Sequence, residues 1–297
     1  MDRRSPSARD DLSALGVPAL LRRIHQEDRR VLPAVRRALP QIARAVELVV
    51  KALRSGGRLI YVGAGTSGRI ALLDALEISP TFGLSPEVVQ AALPKGPAAT
   101  IESTSALEDD AALGRAEMRR RKVGRRDVVM GIAASGTTPF TLAALAEARR
   151  RGARTIALTT SPGSPLARRA HLAIVPAVGE EVIRGSTRMK AGTAQKLILN
   201  MLSTAAMVRL GYVYGDLMVG VRPLNEKLRR RATSIVASAA GVSETEAVRA
   251  LRAAGSDTKV AVVMLKAGVA VPAARRLLAD AGGVVGAALR RANRRRR

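Results

Sequence analysis

Glycine and hydroxyl residues follow a short apolar run near residue 60. Residues 58–62 contain Leu, Ile, Tyr and Val, which predicts a buried strand. An apolar-periodic segment that predicts a helix begins after the glycines and stops before Pro80. A glycine-rich turn at a helix N-terminus presents backbone N–H groups to an anion, such as the phosphate of a small ligand. A tight structural turn explains the spacing equally well. The candidate phosphate-binding residues are Gly65, Thr66, Ser67 and Gly68.

A second turn of the same kind follows residues 127–133, which also predict a buried strand. Pro139 suits the first turn of the helix that comes next, over 140–151. In a parallel sheet, ligands bind beyond the carboxyl ends of the strands, and both turns fall there. The candidate binding residues of the second turn are Ser135, Gly136 and Thr137.

A third polar segment, residues 179–196, leads into a strongly apolar helix. Cationic and amide side chains, here Arg188, Lys190, Gln195 and Lys196, are costly on a helix that is otherwise apolar. The segment therefore indicates a ligand-binding cluster; simple solvent exposure is the alternative. Ser186 or Thr187 could also cap the helix. The candidate binding residues of this segment are Ser186, Thr187, Arg188 and Lys190.

The elements that must position these motifs alternate between strand and helix. This order predicts an α/β fold, a doubly wound parallel sheet covered on both faces. Two helices are expected between residues 18 and 55, and only helices after residue 225. We therefore expect a mobile arm at 1–20, a main domain with flanking helices at 21–224, a small helical domain at 225–290 and a basic disordered tail at 291–297.

The composition excludes several classes of site. The chain of 297 residues contains no cysteine and only two histidines, so we expect no disulfide, no metal and no cofactor. Aromatic residues make up only 2%, so the core must be aliphatic. No apolar run could span a bilayer and no apolar signal core follows Met1, which favours a soluble cytoplasmic protein without a membrane partner.

The formal net charge of +26 suggests nucleic-acid binding at first sight. However, the cationic clusters at 119–122 and 149–151 each precede a glycine, where they complement the C-terminal dipole of a helix. Aromatic residues for base stacking are not interleaved with them. We therefore expect a solvated basic surface and no specific nucleic-acid partner.

Three motifs together resemble the N-acetylmuramic acid 6-phosphate etherases, which have the sugar-isomerase-type fold. They are Gly-Ala-Gly-Thr-Ser-Gly-Arg at 63–69, Ala-Ala-Ser-Gly-Thr at 133–137 and the long segment 185–196. Leu-Met-Val at 217–219 and Asn-Glu-Lys-Leu at 225–228 match as well, and the resemblance spans about residues 25–290. The family's N-terminal Thr-Glu…Asn segment is missing from residues 1–20, and Leu76 and Leu107 replace a usual serine and alanine.

The resemblance implies a carbon–oxygen lyase of cell-wall amino sugar recycling. It would cleave the D-lactyl ether of N-acetylmuramic acid 6-phosphate to N-acetylglucosamine 6-phosphate and D-lactate, as a homodimer without cofactor. Two family glutamates correspond to Glu77 and Glu108. Glu77, predicted at the C-terminus of a helix whose dipole disfavours the ionised form, would be the acid. Glu108 would be the base or activate water.

Geometry constrains this assignment. Glu77 lies ten residues beyond Ser67, about 15 Å along a helix at 1.5 Å per residue, which is too far for a hexose phosphate to bridge comfortably. Either the phosphate binds at the second turn, or Glu77 serves a site in a neighbouring subunit. The second alternative predicts a dimer with composite sites.

Two other functions suit the same motifs. The chain could be a phosphosugar-binding regulator without catalysis, with both glutamates as surface carboxylates. It could also be an aldose–ketose phosphosugar isomerase, which would use the same phosphate-binding turns and one base. The joint presence of Glu77, Glu108 and the third segment favours the etherase.

Overall fold

A five-stranded parallel sheet lies at the centre of the chain. The computed structural model describes residues 11–96, 105–221 and 225–296. The strand order is β2-β1-β3-β4-β5, and Leu59 of β1 pairs with both Val89 of β2 and Val128 of β3. The strands are β1 (Leu59–Gly63), β2 (Val89–Ala92), β3 (Val128–Ile132), β4 (Arg154–Leu158) and β5 (Leu172–Ile174).

Helices cover both faces of this sheet, because successive side chains of each strand point to opposite faces. Tyr61 packs in the core on one face, with α2, α3, α4 and α9 on that side, and Val62 packs on the other face against α6, α7 and α8. The helices of this part are α1 (Val17–Asp28), α2 (Val31–Arg37), α3 (Leu39–Arg54), α4 (Gly65–Phe82), α5 (Ser105–Glu108), α6 (Ala111–Arg120), α7 (Pro139–Arg150), α8 (Pro165–Arg169) and α9 (Lys190–Arg209).

The C-terminal part is entirely helical over its described residues and has a hydrophobic core of its own. The sequence-based prediction of the fold class, a doubly wound parallel sheet with a helical C-terminal region, is thus confirmed. The helices are α10 (Glu226–Ala240), α11 (Glu244–Ala253), α12 (Thr258–Ala267), α13 (Val271–Asp280) and α14 (Val285–Arg296). In the part of the chain that the structure describes, no helix is long and apolar enough to cross a membrane.

Both predicted termini differ from the structure. Helix α14 continues to Arg296 instead of giving way to a disordered tail at 291, because Ala288 and Ala292 on one of its faces are buried in the helical core. The final residue, 297, lies outside the described residues, as do residues 1–10 of the predicted arm. Residues 12–14 form a short 3-10 helix, and α1 begins at Val17.

Two helix boundaries also differ. The N-terminal region forms three helices instead of two, with breaks near Arg29 and Ala38. Helix α4 does not stop before Pro80 but includes it and ends at Phe82, where Gly83 adopts the left-handed conformation of a helix cap (φ 67°). Pro80 lies in the last turn, so the hydrogen bond that its nitrogen cannot donate is lost close to the helix end.

Candidate active site

The turns after β1 and β3 line one cavity of about 430 Å³. Because β2 lies on one side of β1 and β3 on the other, the chain leaves these neighbouring strands in opposite directions, and such a switch point opens a crevice at the carboxyl ends of the strands. Ala64 caps α4 without a side-chain hydrogen bond, so the first N–H groups of this helix have no side-chain acceptor. The hydroxyl side chains around the cavity are Thr66, Ser67, Ser135, Thr138 and Thr187.

The glycines of the first turn allow β1 and α4 to approach each other closely. A Cβ atom at Gly68 would lie 2.6 Å from the carbonyl oxygen of Gly63, so any side chain there would push the helix away. Gly65 has a φ of +53° and, like Thr66 and Ser67, lines the cavity. The turn therefore brings Gly65, Thr66 and Ser67 to the cavity, and Gly68 is a buried packing residue beside them.

The second turn contributes a different set of residues from the one predicted. Ser135 lines the cavity and accepts hydrogen bonds from the N–H (3.2 Å) and the hydroxyl (2.9 Å) of Thr137. Gly136 is buried with a φ of +67°, and a Cβ there would lie 2.2 Å from Ser164 Oγ. Thr138 lines the cavity where Thr137 does not. Its position just before Pro139, at the N-cap of α7, was the signal that could have identified it.

The third segment separates into lining and supporting residues. Gly185 and Thr187 line the cavity, whereas Ser186 and Arg188 do not. Lys190 is only 1% exposed, and its Nζ donates to Glu27 Oε2 at 2.5 Å and to the Glu180 carbonyl. Lys190 therefore holds the start of α9 against α1, and its ammonium group is not directed to the cavity.

Helix α9 is capped by a carboxylate, which corrects the expectation that Ser186 or Thr187 is the cap. Met189 occupies the N-cap position without a side-chain bond. Glu181 instead accepts the N–H groups of Lys190 (3.0 Å) and Ala191 (2.9 Å). A negative side chain is favourable at this positive end of the helix dipole.

Glu108 lies over the start of α4. Its Oε1 atom is 2.7 Å from the position that a Cβ on Gly65 would take, so the glycine makes room for the carboxylate. Burial raises the pKa of Glu108, and the neighbouring Asp109 raises it further, while Arg69 opposes both effects. Arg69 also lines the cavity. Arg69 belongs to the first motif but was not predicted as a site residue, although its position one helical turn after Gly65 was a signal that could have identified it.

Glu77 lies away from this cavity. It is exposed on α4, five residues before the helix ends at Phe82, so the prediction that it lies at the helix C-terminus is wrong. Leu73 and Leu76 beside it are 53% and 62% exposed. Glu77 and Ser67 belong to one continuous helix, about 15 Å apart along its axis. One copy of the chain therefore brings Glu108, but not Glu77, to the two turns.

Nothing in the described ranges resembles a metal site made of three or more histidine, cysteine or carboxylate side chains. His171 Nδ1 accepts the Thr155 N–H at 3.1 Å beside β5, away from the cavity.

These features define a protein of the sugar-isomerase (SIS) type, and the SIS domain family matches residues 26–160. In fold the chain is similar to the phosphoheptose isomerase of Neisseria gonorrhoeae, with a TM-score of 0.50 and 18% identity over 64% of this chain and 98% of that one. It is 54% identical to an N-acetylmuramic acid 6-phosphate etherase of Symbiobacterium thermophilum over 84% of this chain and 83% of that one.

A relative of the same name in Yersinia pestis is 48% identical over 94% of this chain and 95% of its own length. Identity at this level over most of both chains is far above that of the fold neighbour. The chain belongs to the N-acetylmuramic acid 6-phosphate etherase family.

Proposed function

We propose that this protein cleaves the D-lactyl ether of N-acetylmuramic acid 6-phosphate, releasing D-lactate and N-acetylglucosamine 6-phosphate, as a carbon–oxygen lyase of amino sugar recycling. The observation that carries the proposal is the position of Glu108. Its carboxylate lies over Gly65, in the same cavity as the uncapped start of α4 and five hydroxyl side chains. A phosphate-binding helix terminus and a group that can transfer a proton thus share one site. The family relatives named above support the substrate.

The phosphate binds at the N-terminus of α4. Backbone N–H groups there carry partial positive charge, and the hydroxyls of Thr66, Ser67 and Ser135 donate to phosphate oxygens. In open α/β sheets, ligands bind beyond the carboxyl ends of the strands at the switch point of the strand order, which is where this cavity lies.

The reaction proceeds by elimination and addition. In the ring-opened sugar the aldehyde makes the C2 proton acidic, and Glu108 removes it. The C2–C3 double bond forms as the C3–O bond breaks, and the departing lactate oxygen takes a proton from an acid. Water then adds to C3. A base of raised pKa is a stronger base, so the burial of Glu108 favours this role; such a group contributes ~10²–10⁴-fold.

The acid comes from a second copy of the chain. Glu77 lies outside the cavity of its own subunit, next to Leu73 and Leu76, which expose apolar surface that a homodimer would cover. In this arrangement each site combines Glu108 of one subunit with Glu77 of the other, which is the second of the two alternatives derived from the helix length.

Mixing two inactive variants tests the composite site. Glu77→Gln and Glu108→Gln subunits, unfolded and refolded together, would form heterodimers with one intact site. Activity should recover to as much as about a quarter of the wild-type value, since half of the randomly assorted dimers carry one working site of two. Recovery of no activity from a mixture shown to contain heterodimers would place both groups in one subunit.

Lactate release tests the reaction. Wild-type protein should release D-lactate from N-acetylmuramic acid 6-phosphate, and Glu108→Gln should be slower by ~10²-fold or more. Glu47→Gln, which changes an exposed carboxylate on α3, is the matched control and should keep full activity. Conversion of an aldose phosphate to a ketose without lactate would support an isomerase, and binding without turnover would support a regulator.

A further inference from the structure

Two charged side chains of opposite sign are among the described residues that line the cavity. Among the lining residues that the structure describes, Arg69 is the single cation and Glu108 the single carboxylate. Arg69 is exposed, and no carboxylate of the described residues lies within 4.0 Å of it. By contrast, Arg58, which immediately precedes β1, forms a 2.8 Å ion pair with Asp127. Arg69 is thus an exposed cation at the wall of the cavity.

Arg69 and Glu108 approach the cavity from the same side of α4. Arg69 follows Gly65 by four residues, so the two share one face of the helix. The Glu108 carboxylate lies directly over Gly65, at 2.7 Å from its virtual Cβ. The positive charge of Arg69 is close enough to lower the pKa of Glu108 against the effect of burial.

A ligand with two separate anionic groups suits this arrangement. The start of α4 and the surrounding hydroxyls offer N–H and O–H donors to a phosphate. A lactyl carboxylate on the adjoining part of the sugar would bring a second negative charge next to Glu108, which is unfavourable unless a cation compensates it. A planar guanidinium binds a carboxylate through two parallel N–H···O bonds.

We propose that Arg69 forms a carboxylate-binding subsite that holds the lactyl group of the substrate beside Glu108. This inference rests on the proposed function and adds a specificity determinant to it. Arg69 distinguishes phosphosugars that carry an acidic ether substituent from those that lack one. By fixing the lactyl carboxylate it also orients the C3–O bond that breaks, while the phosphate is held independently at the helix terminus.

The test compares Arg69→Met and Arg69→Lys with wild type on three compounds. These are N-acetylmuramic acid 6-phosphate, its lactyl amide, which lacks the carboxylate charge, and N-acetylglucosamine 6-phosphate as an inhibitor. Arg69→Met should lower kcat/KM for the acid about 10- to 150-fold, the range of a charge-assisted hydrogen bond, with Arg69→Lys in between. At a pH above the acidic limb, where Glu108 is ionised in all variants, it should leave turnover of the amide and inhibition by N-acetylglucosamine 6-phosphate unchanged within about threefold. Circular dichroism should show the same fold for all variants.

Two outcomes would overturn the subsite. Equal loss of affinity for N-acetylglucosamine 6-phosphate would make Arg69 a phosphate ligand, as expected of Ser67→Ala, which serves as the positive control. Unchanged kcat/KM for the acid would show that Arg69 has no role. If wild type releases no lactate, the proposed function fails, but calorimetric titration with the acid and its amide still tests the subsite. Wild type should then prefer the acid and Arg69→Met should not.

Discussion

Substitution of Gly65 by alanine should inactivate the protein through one displaced carboxylate. The added Cβ would lie 2.7 Å from Glu108 Oε1. Close carbon–oxygen contacts are about 3.3–3.6 Å, so the carboxylate must retreat by roughly 0.6–0.9 Å. A misplacement of ~1 Å in a catalytic group can cost ~10²-fold in rate, and we expect a fall of that size in kcat/KM.

The same substitution also has a backbone cost, which a matched control isolates. Gly65 has a φ of +53°, and a left-handed conformation costs an alanine about 1–2 kcal/mol. Gly241, the cap of α10, has a φ of +70° and nothing within 4 Å of its virtual Cβ. Both variants should therefore lose a few degrees of Tm, at about 2–4 °C per kcal/mol, but only Gly65→Ala should lose activity.

Lactate release and differential scanning fluorimetry on the two variants separate the catalytic effect of the Gly65–Glu108 contact from the backbone cost. If Gly65→Ala retains more than a third of wild-type kcat/KM while its Tm falls like that of Gly241→Ala, the contact between Gly65 and Glu108 has no catalytic consequence. The geometric argument for Glu108 would then be refuted.

Three further predictions concern charge. Hydrogen bonds from Arg150 and Arg119 lower the pKa of Glu147 to about 2 in the folded protein, from 4.5 in the unfolded chain. The ionised carboxylate therefore stabilises the fold fully above pH 4.5, and this contribution is lost as the pH falls towards 2. Glu147→Gln should thus lower the unfolding free energy by about 1–3 kcal/mol at pH 7, with a smaller difference in urea melts at pH 3. Glu27→Gln leaves the buried Lys190 charge unpaired and should cost ~3–5 kcal/mol in the same melts while raising KM; equal stability would contradict the pairing. Arg69→Met should move the acidic limb of the kcat/KM profile to higher pH, because Arg69 lowers the pKa of Glu108; an unmoved limb would assign it to another group.

The parts of the fold that depend on local patterns could be predicted from the sequence. Apolar runs followed by glycine and hydroxyl residues identified β1, β3 and the turns that line the cavity. The prediction that α4 stops before Pro80 was wrong. A proline usually ends a helix, but Pro80 lies in the last turn of α4, where few hydrogen bonds remain to be lost, and Gly83 forms the cap.

Long-range pairs account for what the sequence did not reveal about the site. Lys190 was assigned to the ligand because a lysine on an apolar helix needs a partner. Its partner, Glu27, lies 163 residues earlier in the chain, and no local pattern indicates that contact. Arg69 was missed for the same reason, because its relation to Glu108 exists only once α5 lies over the start of α4.

Incorporation of oxygen from solvent shows which bond of the ether breaks. In H₂¹⁸O, elimination followed by water addition places the label in the C3 hydroxyl of N-acetylglucosamine 6-phosphate and leaves D-lactate unlabelled. We expect this distribution for wild-type protein, and label uptake that is slower by ~10²-fold or more in Glu108→Gln. Label in the lactate instead of the sugar would show cleavage on the lactyl side of the ether oxygen and would contradict proton abstraction at C2 by Glu108.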